Sequence, residues 1–174
     1  MATITEADLK EAAEKIIKDG ATVKELKGIT NEEMEAVYSL AYNFYRTGKY
    51  DDAEKLFNFL ALFDHLNPKF WIGVGAVHQV KKNFEGAVQA YGYASFLDLK
   101  DPKPQLHAAE CYLAMGDKRN AASALEALNE FCPKDTETGR EYRAKAEKLR
   151  AMVGEEAFAA LAAEDEKAAE AKAE

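Results

Sequence analysis

The chain has 174 residues, of which 48% are apolar and 31% charged, and its formal net charge at pH 7 is −8. This length favours a single domain with an appended segment, and the negative charge argues against nucleic acid or an anionic membrane as the main partner. The composition is rich in alanine, glutamate, lysine and leucine, which favours an all-α fold. Cys111 and Cys132 have no disulfide-framework spacing, so a reducing, cytoplasmic setting is the simpler expectation.

Residues 1–29 are predicted to form an amphipathic N-terminal helix followed by a linker. No basic region precedes an apolar run here, so the segment lacks the features of a secretory signal, and no apolar window of the chain is long enough to span a bilayer. The apolar residues at helical spacing include Leu9, Ala13, Ile16 and Ile17. Gly20 is expected to end the helix, and ATVKELKGI to link it to the rest of the chain.

The centre of the chain repeats itself with a period of 34 residues. Small residues recur at two fixed places: Ala41, Gly75 and Ala109 at one, and Ala53, Ala87 and Ala121 at the other. Large residues recur between them at Phe57, Tyr91 and Leu125. A period of 34 residues, with small residues at the positions where helices cross, is typical of tetratricopeptide repeats. We therefore predict an all-α solenoid over residues 30–135, with three helix hairpins at about 34–67, 68–101 and 102–135.

Local signals agree with the boundaries of these hairpins. Pro68 and Pro102 suit the first turn of a helix, and Thr30 begins a capping box. Gly48 and Gly116 lie at turns that need a left-handed residue, and the second repeat has Lys82-Asn83 there, with the asparagine expected to adopt that conformation.

Two further segments follow the repeats. Residues 136–154 are predicted to form a capping helix, whose apolar edge consists of Tyr142, Ala146, Leu149 and Val153. Residues 155–174 form an acidic, alanine-rich tail. Phe158 and Leu161 are expected to be too few to anchor that tail, which predicts a frayed helix or disorder.

A row of tyrosines predicts a binding groove. Tyr38, Tyr42 and Tyr45 follow one side of the first repeat helix, whereas the face expected to be buried comprises Val37, Leu40, Ala41 and Phe44. First helices line the concave side of such solenoids, and exposed aromatic rows usually mark interaction sites, so we favour a groove over a core role. The other candidate groove residues are Ile72, Gly73, Ala76, Leu106, His107 and Glu110. Gly73 is expected to let a ligand backbone approach closely.

The sequence contains no convincing catalytic constellation. His65, His78 and His107 have no partner at a spacing typical of nucleophilic catalysis. His107 and Glu110 share a helix face, but Cys111 points elsewhere, so no metal site is predicted. GVGAV lies inside a helix and lacks a preceding strand, which argues against a phosphate loop. We expect no enzymatic activity and no cofactor.

Four segments carry a resemblance to a known family: GATVKELKGI, YSLAYNFYRTGKYDDAEKLF, LFDHLNPKFWIGVGAVHQVKK and HAAECYLAMGD. They resemble the class II type III secretion chaperones (the SycD/LcrH, SicA and IpgC family) over about residues 16–130. The resemblance implies a cytoplasmic bacterial chaperone whose groove holds an extended segment of hydrophobic translocator proteins, of the kind Pro/Val-x-Leu-x-x-Pro. Such holding would keep the translocators soluble and competent for secretion.

The resemblance also implies roles for particular residues. Tyr38, Tyr42 and Tyr45 would line pockets for the apolar anchors, and the floor would extend through Ile72, Ala76, Leu106 and His107. The N-terminal helix, with Leu9, Ala13, Ile16 and Ile17, would take part in a homodimer. A regulatory protein is a further partner of some family members.

Three other functions remain as alternatives. A generic repeat adaptor that docks a C-terminal carboxylate needs lysine and asparagine on the inner helices, where this chain has Tyr38, Tyr42, Ile72 and Ala76. A scaffold subunit would bury the groove in an assembly. An enzyme would need a catalytic constellation.

Overall fold

The structure is a computed structural model that describes residues 14, 15, 18 and 20–171, without the side chains of 165 and 168–170. The regular structure in this described part of the chain is entirely helical. Its helices are α1 (Val23–Lys27), α2 (Asn31–Arg46), α3 (Tyr50–Phe63), α4 (Pro68–Val80), α5 (Phe84–Leu97), α6 (Pro102–Ala114), α7 (Lys118–Phe131), α8 (Glu137–Val153) and α9 (Glu155–Ala171). Within residues 20–171, no helix combines the length and the apolar character that a membrane span requires.

Helices α2 to α7 form the three predicted hairpins, and each hairpin packs against the next. The small residues occupy the crossings: Ala41, Ala53, Ala87, Ala109 and Ala121 are all 0% exposed. At Gly75 an added Cβ would lie 2.6 Å from Cε1 of Tyr91, closer than side chains can pack. The predicted solenoid is therefore confirmed, because the repeated small residues are where helix backbones approach one another.

The helix starts follow from local capping. Thr30 Oγ1 accepts from the Glu33 amide at 3.2 Å, and the Thr30 amide donates to the Glu33 carboxylate at 2.8 Å, which is the predicted capping box. Pro68 and Pro102 occupy the first turns of α4 and α6. Backbone N–H groups there have no acceptor within the helix, so the N–H that proline lacks costs no hydrogen bond.

The turns inside the hairpins use a left-handed residue, but the second repeat differs from the expectation. Gly48 and Gly116 have φ values of 77° and 78°, as predicted. In the second repeat Lys82 takes this conformation, with φ of 61°, whereas Asn83 has φ of −85°. Asn83 is instead the N-cap of α5, and its side chain accepts from the Gly86 amide. The prediction for Asn83 was therefore wrong, since its capping role requires a negative φ.

The predicted linker before the repeats contains a short helix, α1. Thr22 and Glu25 form a capping box at its start, and Gly28 ends it with φ of 67°. Lys24 Nζ donates to Asp64 Oδ2 at 2.8 Å, which ties this segment to the end of α3. Before α1, Gly20 has φ of 68° at the predicted helix end. The residues proposed for dimerisation, Leu9, Ala13, Ile16 and Ile17, lie outside the described residues.

The C-terminal helices cover the end of the third repeat. In α8, Ala146 and Val153 are buried, and Tyr142 and Leu149 pack against the same core. The acidic segment was expected to fray, but it forms α9, in which Phe158 is 7% exposed. The Arg150 guanidinium lies 3.7 Å from the centre of the Phe158 ring. The expectation of an unanchored tail is therefore wrong for α9, since α7 and α8 supply a surface that buries its apolar residues.

Candidate peptide-binding groove

The first helices of the hairpins, α2, α4 and α6, lie side by side and are continued by α8. Helix spacing predicts that side chains of these four helices share one surface, with an aromatic end on α2 and a polar end on α6 and α8. We call this surface the groove, and define it by Tyr38, Tyr42, Tyr45, Ile72, Ala76, Gln79, His107, Glu110, Tyr142 and Lys145.

The tyrosines of α2 differ in their surroundings: Tyr38 packs against the core, whereas Tyr42 is exposed to solvent. The rings of Tyr38 and Tyr42 stack with centroids 6.3 Å apart. Tyr38 also contacts Phe57 and Phe70, at centroid distances of 5.8 and 6.1 Å. Tyr42 remains 49% exposed. Tyr38 is therefore a packed base that holds the more exposed ring of Tyr42 in place.

The third tyrosine and its surroundings complete the aromatic end. Tyr45 is partly buried and meets Tyr50 edge to face, with centroids 5.8 Å apart. Burial raises the pKa of the Tyr38 and Tyr45 hydroxyls, so both stay neutral at physiological pH. Lys69 Nζ lies 3.8 Å from the centre of the Tyr38 ring and 2.7 Å from Glu35 Oε2.

The row of tyrosines is thus partly core and partly surface, which the sequence could not separate. On the face expected to be buried, Ala41 is 0% exposed and Val37 and Phe44 are partly buried, but Leu40 is 47% exposed. Leu40 was therefore wrongly assigned to the core. Met34 takes its place, at 2% exposed.

Two of the predicted groove residues lie in the core instead. Gly73 is buried, and an added Cβ would lie 2.3 Å from Cδ1 of Phe57, so this glycine accommodates a neighbouring side chain and not a ligand. Leu106 is 2% exposed and packs with Leu125 and Leu128 in the core of the third hairpin. Ile72 and Ala76 are partly exposed on α4, as a groove position requires.

A chain of hydrogen bonds links the second and third repeats at the polar end. Tyr91, which is 1% exposed, donates its hydroxyl to Gln79 Oε1 at 2.7 Å. Gln79 Nε2 donates to Glu110 Oε2 at 3.1 Å, and His107 Nδ1 lies 2.9 Å from the same oxygen. The Tyr91 and His107 rings also stack, with centroids 5.5 Å apart. Sequence reasoning assigned Tyr91 to packing alone and missed its hydroxyl, because this bond joins residues of two helices.

The electrostatics of the polar end follow from these contacts. The hydrogen bond from His107, with a further contribution from Gln79, lowers the pKa of Glu110, so its carboxylate is ionised at neutral pH. On α8, Lys145 Nζ lies 2.7 Å from Glu141 Oε1 and 4.6 Å from the centre of the Tyr142 ring.

The described residues include no group of three or more potential metal-ligating side chains. Cys111 follows Glu110 but is 0% exposed, and burial raises the pKa of its thiol to about 12. His107 and Glu110 therefore act as a hydrogen-bonded pair. His78 is partly buried, and its Nδ1 lies 3.1 Å from the side-chain nitrogen Nδ2 of Asn83. The backbone carbonyl of His65 accepts a hydrogen bond from the Trp71 indole at 2.8 Å.

Comparison with known proteins agrees with this architecture. The tetratricopeptide repeat family model matches residues 34–67 and 68–101, the predicted bounds of the first two repeats. The low calcium response locus protein H of Yersinia pestis is 38% identical over 126 residues, which cover 72% of this chain and 75% of that protein.

Two solved structures are similar over most of their length. A type III secretion complex from Aeromonas hydrophila aligns with a TM-score of 0.77 at 31% identity, covering 82% of this chain and 95% of that one. The type III secretion chaperone SycD of Yersinia enterocolitica, solved with a peptide of the translocator YopD, aligns with a TM-score of 0.67 at 33% identity, covering 72% and 95%. The chain therefore belongs to the class II type III secretion chaperones, a family of tetratricopeptide-repeat proteins.

Proposed function

We propose that this protein is a cytoplasmic bacterial chaperone that holds an extended apolar segment of hydrophobic type III translocator proteins in the groove. The observation that carries the proposal is the half-exposed Tyr42, stacked on a Tyr38 that the core fixes in place. Such a surface is formed before the ligand arrives, so binding loses little conformational entropy on the protein side. The complex of SycD with a peptide of the translocator YopD supports a translocator peptide as the ligand.

The expected affinity suits a chaperone that must release its cargo without an energy source. Three buried apolar anchors contribute about 1.5–3 kcal/mol each, or roughly 4–9 kcal/mol before ordering costs. A free energy of about −8 kcal/mol corresponds to a micromolar dissociation constant. A segment with two prolines is already restricted in conformation, so it loses less entropy on binding.

The proposal includes two further partners. A homodimer would use Leu9, Ala13, Ile16 and Ile17, whose spacing predicts an apolar helix face. The other is a regulatory protein, which the resemblance implies and which would couple secretion to gene expression.

The alternative of an adaptor for a C-terminal carboxylate has less support. Such a site needs free cationic or amide donors on the inner helices. Lys69 already pairs with Glu35 and the Tyr38 ring, and Gln79 with Tyr91 and Glu110.

The test is a calorimetric titration with a Pro-x-Leu-x-x-Pro hexapeptide. Tyr42→Ala is preferable to a triple alanine variant, because Tyr38 and Tyr45 also pack against the core. The matched control is Tyr93→Ala, on α5, where the tyrosine is 37% exposed. We expect micromolar binding by the wild type, about tenfold weaker binding by Tyr42→Ala, and no change in the control.

The same samples should be followed by circular dichroism during heating. Unchanged helix content and melting in Tyr42→Ala would attribute the lost affinity to the groove. Equal binding by wild type and Tyr42→Ala, or a large loss of stability in Tyr42→Ala, would contradict the proposal.

A further inference from the structure

The hydrogen bonds of Glu110 converge on one of its two carboxylate oxygens. Gln79 Nε2 and His107 Nδ1 both contact Oε2, at 3.1 and 2.9 Å. No hydrogen bond from another described residue reaches Oε1. Since the side chain is 36% exposed, a ligand in the groove can reach the carboxylate.

The orientation of this carboxylate is set from the core. Tyr91 is buried, and its hydroxyl donates to Gln79 Oε1 at 2.7 Å. With its oxygen accepting from Tyr91, the Gln79 amide presents its nitrogen to Glu110. Glu110 is thereby held in one direction before any ligand binds, which favours specific recognition over adaptable contact.

A purely apolar cargo would be a poor match for this end of the groove. The Glu110 carboxylate is ionised at neutral pH because hydrogen bonds from His107 and Gln79 lower its pKa. Covering an ionised oxygen with apolar atoms removes its water without supplying a donor, which is unfavourable. A positively charged side chain would supply both a donor and the compensating charge.

The nearby charges also favour a cation. Lys145 of α8, whose charge also lowers the pKa of Glu110, is itself paired with Glu141 at 2.7 Å. The formal net charge of the whole chain is −8, so the long-range field also attracts cationic segments.

We propose that Glu110 is a specificity-determining residue that selects cargo segments carrying a lysine or arginine beside their apolar anchors. This inference rests on the proposed function, because it assigns the chemistry of the cargo at the polar end of the same groove. His107, Gln79 and Tyr91 act as positioning residues for Glu110.

The test is a lysine scan of the Pro-x-Leu-x-x-Pro peptide. One lysine is placed in turn at each variable and flanking position, and each peptide is compared with its norleucine counterpart, which has the same carbon chain without the charge. At one position the lysine peptide should bind the wild type about tenfold more tightly than the norleucine peptide. That advantage should disappear in Glu110→Gln and shrink as the salt concentration rises.

The control is Glu130→Gln, an exposed residue of α7 outside the groove, which removes the same charge from the chain. It should keep the preference for lysine. A preference that survives in Glu110→Gln, equal weakening of lysine and norleucine peptides by that variant, or no preference at any position would overturn the inference while leaving peptide binding intact. Failure of every peptide to bind the wild type would instead overturn the proposed function.

Discussion

Gly73 and Phe57 are in such close contact that no other residue fits at position 73 without a rearrangement. An added Cβ would lie 2.3 Å from Cδ1 and 2.4 Å from Cε1 of the Phe57 ring. Phe57 belongs to α3 and Gly73 to α4, so this contact joins the first hairpin to the second. The glycine therefore allows two consecutive repeats to pack.

Gly73→Ala should destabilise the protein by about 1–3 kcal/mol, the usual penalty for overpacking a core. The matched control is Gly92→Ala in α5, where an added Cβ would meet nothing within 4 Å. Since glycine inside a helix is less favourable than alanine, the control should be more stable by about 0.5–1 kcal/mol. Urea unfolding of both variants measures the two changes, and stabilisation by Gly73→Ala would show that the contact is not this close.

Lys82→Gly should stabilise the protein by about 0.5–1 kcal/mol. Lys82 has φ of 61°, a conformation that is strained for residues with a Cβ and unstrained for glycine. The gain is reduced by the greater freedom of glycine in the unfolded chain. Gly116→Ala, at the equivalent turn with φ of 78°, should have the opposite effect. Thermal unfolding provides the measurement. A stability change of the same sign in Lys82→Gly and Gly116→Ala would contradict backbone strain at Lys82.

Phe158→Ala should detach α9 and lower the free energy of unfolding by about 3–5 kcal/mol, because the ring is buried against α7 and α8. The helix content measured by circular dichroism should fall at the same time, since the other apolar contacts of α9 with this core are made by Ala157 and Leu161, which are only partly buried. Met152→Ala, at a side chain that is 64% exposed, is the control and should change neither quantity. If Phe158→Ala left stability and helix content at wild-type values, α9 would not depend on this anchor.

The two cysteine thiols should be unreactive in the folded protein. Burial raises the pKa of Cys111 to about 12 and also raises that of Cys132, and only the thiolate reacts. At pH 8 a thiol reagent should label neither cysteine in the native state and both in urea. Rapid labelling of the native protein would contradict the burial of these side chains.

The raised pKa of the Cys111 thiol also makes the free energy of unfolding depend on pH. A thiol with a raised pKa binds its proton more tightly in the folded state than in the unfolded one, where the ordinary value is 9.0. The contribution of Cys111 is therefore fully present below pH 9 and is lost as the pH rises towards 12. Cys111→Ser lacks this titration, so wild type and variant should differ in their pH dependence of urea unfolding only above pH 9.

The architecture of the repeats was predictable because it depends on local and periodic signals. The interval between Ala53, Ala87 and Ala121 identifies the helix crossings, and the prolines and the Thr30 capping box act within one helical turn. The prolines and the capping box depend only on their neighbours in the chain, and the period is found by comparing segments of the same chain. A single sequence therefore contains enough information to predict them.

The groove was predicted only in part. Helical spacing placed Tyr42 and Ile72 on the inner side, but spacing also placed Gly73 and Leu106 there, and both are buried. The difference depends on the neighbouring hairpin, since Phe57 fills the space over Gly73. The helical period predicts the direction in which a side chain points. It does not predict whether residues of the adjacent helix cover that side chain.

The sequence by itself determined the repeat period, the capped starts of the repeat helices and the aromatic row, because periodicity, short-range sterics and local hydrogen bonding govern them. Only the tertiary structure decided that Tyr38 supports Tyr42, that Tyr91 orients Glu110 through Gln79, and that Phe158 anchors α9. Each of these contacts joins elements whose relative position depends on the packing of whole helices. Burial and hydrogen bonding between two helices depend on how the helices are arranged in space. The residues of one helix alone do not determine that arrangement.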